Sequence, residues 1–143
     1  VVFDLDGVLS DARARQHFLE GPGRRDWRSF FDACGEDDLI AETARLAELL
    51  DPALVVVLLT GRPVRVRRQT LAWLARHRVR WDLLIMREAG SYAQSPEFKR
   101  GVVARLRELG FDLRLAFEDD LRIQEVFRAE GVPCMYVHSG YYD

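Results

Sequence analysis

The chain opens Val1-Val2-Phe3-Asp4-Leu5-Asp6-Gly7-Val8, an apolar run that ends in two carboxylates one residue apart and a glycine. A run so short and apolar reads as a buried strand rather than a helix. Ionised carboxylates at the mouth of such a strand are costly to bury unless a cation offsets them. A hard divalent ion such as magnesium is the natural partner, because it takes oxygen ligands and keeps positions open for water and a phosphate oxygen. Gly7 lets the chain turn sharply so that main-chain groups face a ligand. By itself, an acidic turn at a strand end explains the string about as well as an active site does.

Working outward, similar short runs recur at Leu54 to Leu59, Asp82 to Met86, Leu113 to Phe117 and Cys134 to Val137. Between them lie amphipathic stretches at about Leu39 to Leu50, Pro63 to His77, Pro96 to Leu109 and Leu121 to Glu130. This alternation predicts an α/β fold of βα units around a parallel sheet. The helix after the third strand has the clearest limits, with Ser95 as N-cap, Pro96 at the first helical position and Gly110 just past the end. Ser10 to Asp38 breaks the alternation. It contains Gly21-Pro22-Gly23 and Trp27-Arg28-Ser29-Phe30-Phe31 and reads as a small insertion with a short helix of its own. In right-handed βα topology, sites form outside the carboxyl ends of the strands, so the residues just after each strand are where chemistry is expected.

Composition narrows the class. A chain of 143 residues suits one domain. With 48% hydrophobic and 31% charged residues, the balance is that of a globular protein. No apolar run approaches the roughly 20 residues of a membrane helix, and the start lacks the basic-then-apolar order of a signal peptide, so the expected location is cytoplasmic. Val1 already sits inside the first strand, which suggests that further residues precede it. Cys34 and Cys134 fit neither a zinc site nor a disulfide framework and are expected to be buried thiols. His17, His77 and His138 have no metal-binding spacing. The net charge of −2 gives no global attraction to nucleic acid. Seven arginines nevertheless lie between Gly61 and Trp81 without an acid among them, and Lys99 is the only lysine.

Three further signals fall at strand ends or helix starts. Leu59-Thr60-Gly61-Arg62-Pro63 reads as a strand end with Pro63 opening a helix, where a hydroxyl and free amides form an anion site; an ordinary turn is the plain alternative. Phe117-Glu118-Asp119-Asp120 places three acids before a helix that needs only one as a cap. Lys99 lies near the start of the preceding helix, where a lone lysine is normally solvated surface.

In this order and strand context, VVFDLDGVL, LLTGRP, the lysine of EFKRG and FEDD match the four motifs of the haloacid dehalogenase (HAD) superfamily, which the chain resembles over nearly its whole length. The resemblance implies a Rossmann-like three-layer sandwich with a five-stranded, mainly parallel sheet in strand order 3-2-1-4-5. It also implies one phosphatase domain over residues 1–143, with residues 10–38 as the cap-like insertion. Carried over, Asp4 is the nucleophile that forms an aspartyl-phosphate. Asp6 is the general acid and then the base. Thr60 binds a phosphate oxygen, Lys99 balances charge, and Gly61 and Arg62 contact the substrate. Magnesium is held by Asp4, the main-chain carbonyl of Asp6 and an acid from Glu118 or Asp119. The acidic motif commonly begins with aspartate, whereas Glu118 stands here, which favours Asp119 as the direct ligand and Glu118 as a second contact.

More narrowly, TGRP with the following Thr70 and Trp73, then Leu84-Ile85-Met86-Arg87, FEDD and Val137-His138-Ser139-Gly140 are similar to the 3'-phosphatase module of polynucleotide kinase-phosphatases. The acid that this module carries shortly before the lysine has no counterpart, since Ser95 and Pro96 stand there. The resemblance implies phosphorylated DNA or RNA 3' ends as substrate, no membrane association, and a kinase or other repair domain in the same parent protein. On that view Arg65 to Arg80 track a phosphate backbone and Trp27 or Phe30 stacks on a base; a solvated basic helix and ordinary packing are the plain readings. Two alternatives stand beside it. One is a phosphatase of nucleotides or other small molecules, and the other an inactive domain that binds nucleic acid or a partner, against which the intact pair Asp4 and Asp6 argues.

Overall fold

The computed structural model describes residues 1–143. Its main sheet is built from β1 (Val2–Phe3), β4 (Val57–Pro63), β5 (Leu83–Arg87), β6 (Ala116–Glu118) and β7 (Cys134–Tyr136). They are ordered β5-β4-β1-β6-β7, and every pairing is parallel. By position this is the order 3-2-1-4-5 expected from the sequence.

The two-residue alternation of strands sends neighbouring side chains to opposite faces, and this creates two cores. Phe3, Leu58 and Phe117 face helices α2 (Ala41–Leu49) and α3 (Arg67–Arg76), meeting Ala44, Ala47, Trp73 and Leu74. Val2, Val57, Leu59 and Ala116 face α4 (Ser95–Glu108) and α5 (Leu121–Ala129), meeting Val103, Leu106, Ile123 and Phe127. The three layers are therefore helices, sheet and helices. β1 lies at the centre, paired on both sides, with Val2 opposite Val57 and Ala116. Cys34 and Cys134 are both free and buried, as expected.

The stretch after β1 is closed at its base by a small antiparallel ribbon, in which β2 (Ser10–Asp11) pairs with β3 (Asp38–Leu39). Between these strands run a 3-10 helix over Arg13–Leu19, the short helix α1 (Trp27–Asp32) and a 3-10 turn over Cys34–Glu36. Asp26 caps α1 by accepting from the amide of Ser29.

The fourth strand begins at Ala116, not Leu113, and three further local expectations shift. The second strand begins at Val57, not Leu54, because Asp51 to Leu54 forms a turn and the amide of Val56 is taken by the Asp82 carboxylate. That strand then runs through Thr60-Gly61-Arg62 to Pro63, which pairs with Arg87 across a register irregularity. Pro63 consequently ends a strand, and α3 starts only at Arg67, after a 3-10 turn over Val64–Val66. Ser95 does not cap α4: Gln94 holds that place without a side-chain hydrogen bond, and the Ser95 hydroxyl accepts from Arg87. The expected stop at Gly110 holds. With φ of +91°, Gly110 lets its own amide bond to Arg107 and the amide of Phe111 to Leu106, a Schellman closure.

Candidate active site

The carboxyl ends of β1, β4 and β6 place Asp4, Thr60 and Glu118 side by side. Asp4 follows β1 and its amide continues the ladder to the carbonyl of Phe117. From α4, Lys99 reaches inward and is only 2% exposed. Its Nζ lies 2.9 Å from Asp4 Oδ1 and 2.7 Å from Glu118 Oε2. The sole lysine is thus no surface residue: the unpaired charge of a buried ammonium would be costly, and two carboxylates offset it. Burial alone would lower the Lys99 pKa, but Asp4 and Glu118 outweigh it and raise it.

Asp4, Glu118 and Asp119 together form a buried group whose carboxylate oxygens lie within 4.8 Å of one another. One ammonium cannot neutralise three carboxylates. Burial, reinforced by Glu118, pushes Asp4 up to about 8, and burial reinforced by Asp4 pushes Asp119 up to about 7. Glu118 is also raised, by burial first, against the pull of Lys99. Both carboxylate oxygens of Asp119 are buried without a hydrogen-bond partner, although such atoms are nearly always satisfied in folded proteins. A divalent cation with oxygen preference answers both the excess negative charge and the orphaned oxygens. The residues present therefore fit such an ion, with Asp4 and Asp119 presenting oxygens to it while Glu118 is tied to Lys99.

Gly7 makes room for this group. Its φ is +83°, and a Cβ there would collide with the Asp119 carboxylate and with Ser139. Of the three consecutive acids, Asp120 is the plain helix cap, accepting from the amide of Arg122 at the start of α5. The other two are free to face the site.

Asp6 belongs to a second cluster. Its Oδ1 accepts from Arg62 Nε at 3.0 Å, Arg62 Nη2 at 2.6 Å and Arg15 Nη2 at 2.7 Å. Both guanidinium groups are essentially inaccessible, with side chains 0% and 2% exposed. Behind them Asp37 accepts from Arg15 Nε and Nη2, each at 2.7 Å, and from the Ser10 hydroxyl at 2.6 Å. Thr70 and Ser10 take further donors of Arg62, and the Trp73 indole donates to the carbonyl of Asp37. Two guanidinium groups against two carboxylates make this cluster neutral. Burial would raise the Asp6 carboxyl, but Arg62 and Arg15 outweigh it and hold it below its ordinary range.

Thr60 is buried, and its Oγ1 accepts from the amide of Arg62. Gly61 leaves open space beside it, with Ser95 Oγ the nearest atom at 4.0 Å from where a Cβ would stand. These two residues belong to a bulged strand end, not to a helix N-terminus, so no helix amides stand beside the Thr60 hydroxyl for the expected anion site.

Sequence reasoning passed over Arg15, Asp37 and Ser10. All three lie in or beside the insertion, where charged and hydroxyl residues look like solvated surface, and nothing in their spacing signals a shared network. The reverse holds for two of the arginines between Gly61 and Trp81. Arg80 donates to the carbonyls of Ala47, Leu50, Asp51 and Leu54 at 2.8 to 3.0 Å, closing the end of α2, and Arg76 donates to the carbonyl of Gly35. Their duties are structural, which removes them from any backbone-tracking row.

Residues 1–142 match the family described as the polynucleotide kinase PNKP phosphatase domain. The chain belongs to this family. PNKP phosphatase membership makes it a HAD-type phosphatase domain, in agreement with the sheet order and the acidic cluster at its carboxyl end. No curated protein sequence matches at a significant level. Among solved structures, a chain of a Pnkp1/Rnl/Hen1 complex is similar with a TM-score of 0.79 at 23% identity, over 96% of this chain and 45% of that one. A chain of a Pnkp1/Rnl/Hen1 RNA repair complex gives 0.77 at 24% identity, over 96% and 41%. A HAD-superfamily hydrolase from Geobacter sulfurreducens gives 0.57 at 17% identity, over 94% and 84%. These likenesses concern the fold. The chain spans less than half the length of the first two. No helix is long and apolar enough to cross a membrane.

Proposed function

We propose that this PNKP phosphatase domain removes the phosphate from polynucleotide 3' ends, with Asp4 as nucleophile and magnesium as the bound ion. The family match supports the substrate class. The observation that carries the chemistry is the convergence of Asp4, Lys99 and the unpartnered Asp119 carboxylate in one buried recess, with Asp6 two residues from Asp4 in a separate, charge-balanced setting.

In this reading a carboxylate oxygen of Asp4 attacks phosphorus and the ester bond to the leaving oxygen breaks, giving an aspartyl-phosphate. Asp6 supplies the proton to the leaving oxygen. It then takes a proton from the water that attacks phosphorus, and this frees Asp4 and inorganic phosphate. Asp4, Asp119 and the main-chain carbonyl of Asp6 would hold the ion, which would supply positive charge for the phosphate oxygens and favour the ionised form of Asp4. Lys99 shares the first task, and Thr60 and Gly61 receive a phosphate oxygen. Arg62 orients Asp6 and, by its position at the end of β4, neighbours the incoming group. Charge neutralisation dominates, since the transferring phosphoryl group spreads negative charge over its oxygens.

With Arg15 and Arg62 on one of its oxygens, Asp6 rests ionised, the form required of the base. To act as acid it must gain a proton on substrate binding, and the negative charge of a phosphate dianion placed beside it shifts it in that direction.

Residues 1–143 act as one domain in this proposal, with residues 10–38 as a small cap that leaves the site open to a long substrate. A cytoplasmic setting and a kinase or other repair domain in the same parent protein belong to it as well. The test is to compare Asp4→Asn with the parent protein on an aryl phosphate, a 3'-phosphorylated oligonucleotide and 3'-mononucleotides. Loss of all turnover with an unchanged circular dichroism spectrum is expected of the variant, and most activity surviving would refute the nucleophile. Equal or faster parent turnover of mononucleotides would refute the substrate class and favour the small-molecule reading.

A further inference from the structure

Away from the reacting groups, the outer end of the insertion carries an unexplained concentration of positive charge around one aromatic ring. Arg24, Arg25, Asp26, Trp27 and Arg28 line a shallow hollow open to solvent. Asp26 is committed to capping α1. Arg24 and Arg25 are exposed and have no acidic partner, and Arg28 has only a 4.0 Å contact with Asp32. Asp32 is itself engaged by Arg65, which also donates to the carbonyl of Arg28. In a chain of net charge −2, this is a local basic pole with no internal use for its charge.

Trp27 stands 46% exposed within it. The ring is nonetheless held: it stacks on Phe31 with centroids 5.9 Å apart and meets the edge of Phe30 at 5.6 Å. One face is fixed by packing and the remainder is open, which is how a stacking platform differs from a core aromatic. The patch is also tied to the reacting centre. Phe30 lies under the guanidinium of Arg15 at 4.3 Å, and Arg15 Nη2 holds Asp6 Oδ1 at 2.7 Å. From the aromatic ring to the catalytic carboxylate there are only two intervening side chains.

We infer that Arg24, Arg25, Trp27 and Arg28 form the track for the single strand upstream of the 3'-phosphate, with a base stacked on Trp27 and backbone phosphates on the arginines. This rests on the proposed 3'-end activity for its orientation, but the strand-binding surface itself does not depend on catalysis. Aromatic and cationic groups side by side are what a single strand requires, and they ask for no particular base sequence.

The test uses the whole chain with R24A/R25A/R28A, R24K/R25K/R28K and W27A. Each is measured for hydrolysis of an aryl phosphate and of a short 3'-phosphorylated oligonucleotide, and for fluorescence-anisotropy binding of the same DNA or RNA strand ending in a 3'-hydroxyl. The alanine triple variant is expected to keep aryl phosphate turnover and lose ~10–100-fold in kcat/KM on the oligonucleotide at low salt, with the slope of log affinity against log salt shallower by about 2. The lysine variant is expected to retain that slope, because charge and not fork geometry sets it. W27A is expected to weaken strand binding by ~5–100-fold with the salt slope unchanged.

Strand binding that is the same in all variants would overturn the track, and so would an equal loss on the aryl phosphate, which would place the arginines' effect at the reacting phosphate itself. The underlying activity fails differently. If the parent protein shows no preference for the oligonucleotide over a mononucleotide, the 3'-end reading falls, and the hydroxyl-terminated strand alone decides the surface. Arginine-dependent binding of that strand then upholds the track, and its absence removes it.

Discussion

Arg62 donates twice to a single oxygen of Asp6, from Nε at 3.0 Å and from Nη2 at 2.6 Å. Every hydrogen bond to that carboxylate, including the one from Arg15, falls on Oδ1, so Oδ2 remains available to a proton or a water. One side of the carboxylate is an anchor and the other a working edge, and three consequences follow from this division and from the acidic recess beside it.

Arg62→Lys is expected to reduce kcat on an aryl phosphate by ~100-fold, the usual effect of losing one preorganised donor. A single ammonium cannot reproduce the fork that spans Asp6, Ser10 and Thr70. Destabilisation of about 1–3 kcal/mol is expected from the acceptors left unmatched, read by urea denaturation. The Asp6 carboxyl is depressed in the parent protein, so its ionised form persists below the ordinary carboxylate range and is lost only as pH falls further. Weakening the guanidinium contact raises that pKa and, on an aryl phosphate whose leaving group needs no proton, should move the acidic limb of the kcat profile, set by Asp6 as base, to higher pH. A limb that stays in place would remove Asp6 from the titrating role.

For Asp4 and Asp119 the sign is opposite. Their folded pKa values, about 8 and about 7, lie above the ordinary 3.8, so the folded protein binds more protons than the unfolded chain between these limits. Stability without metal is then greatest below about pH 4 as far as these two groups go, and is lost as pH rises towards 8. In EDTA, the melting temperature should be lower at pH 8 than at pH 6. Magnesium should raise it more at pH 8, because the ion binds the ionised carboxylates. Thermal scans at the two values with and without magnesium check this, and a magnesium effect that shrinks with rising pH would count against the proposed ligands.

Gly7→Ala should disable the site without touching an ionisable group. The substitution forces an L side chain to φ of +83°, costing about 1–2 kcal/mol, and drives a methyl group into the Asp119 carboxylate. Metal affinity measured by calorimetry is expected to weaken by ~10–100-fold, as for other disturbances of ligand orientation. Unchanged affinity would show that Asp119 is not a ligand.

Arg78 gives a control far from the chemistry. It ends α3 in the left-handed region with φ of 52°, while the amide of Val79 closes on the carbonyl of Leu74. Glycine accepts that conformation without a Cβ penalty, although it adds freedom to the unfolded chain. Arg78→Gly should stabilise the protein by about 0.5–1 kcal/mol with kinetics unaltered, as measured by denaturant midpoint.

Much of the candidate site is legible in the sequence. Asp4, Thr60, Lys99 and Glu118-Asp119 announce themselves because each occupies a strand end or helix start in a regular βα alternation, where the local pattern has no use for it. The strand order also follows from the resemblance that those motifs carry. The helix start placed at Pro63 was misread because proline suits both a first helical turn and the end of a bulged strand, and only pairing of Pro63 with Arg87 decides between them. Ser95 was misplaced by one position for a similar reason: its hydroxyl had a competing tertiary partner in Arg87.

What the amino-acid order determined by itself is the set of candidate reacting groups and the layered fold that gathers them, since hydrophobic periodicity and strand-end chemistry are local properties of the chain. Only the tertiary structure decided how Asp6 is held. Arg15 and Asp37 sit 9 and 31 residues beyond it and reach it through a short ribbon that folds the insertion back over the site. Charge balance in a buried cluster depends on distance in space, and that distance is set by how the insertion packs and not by any spacing along the sequence.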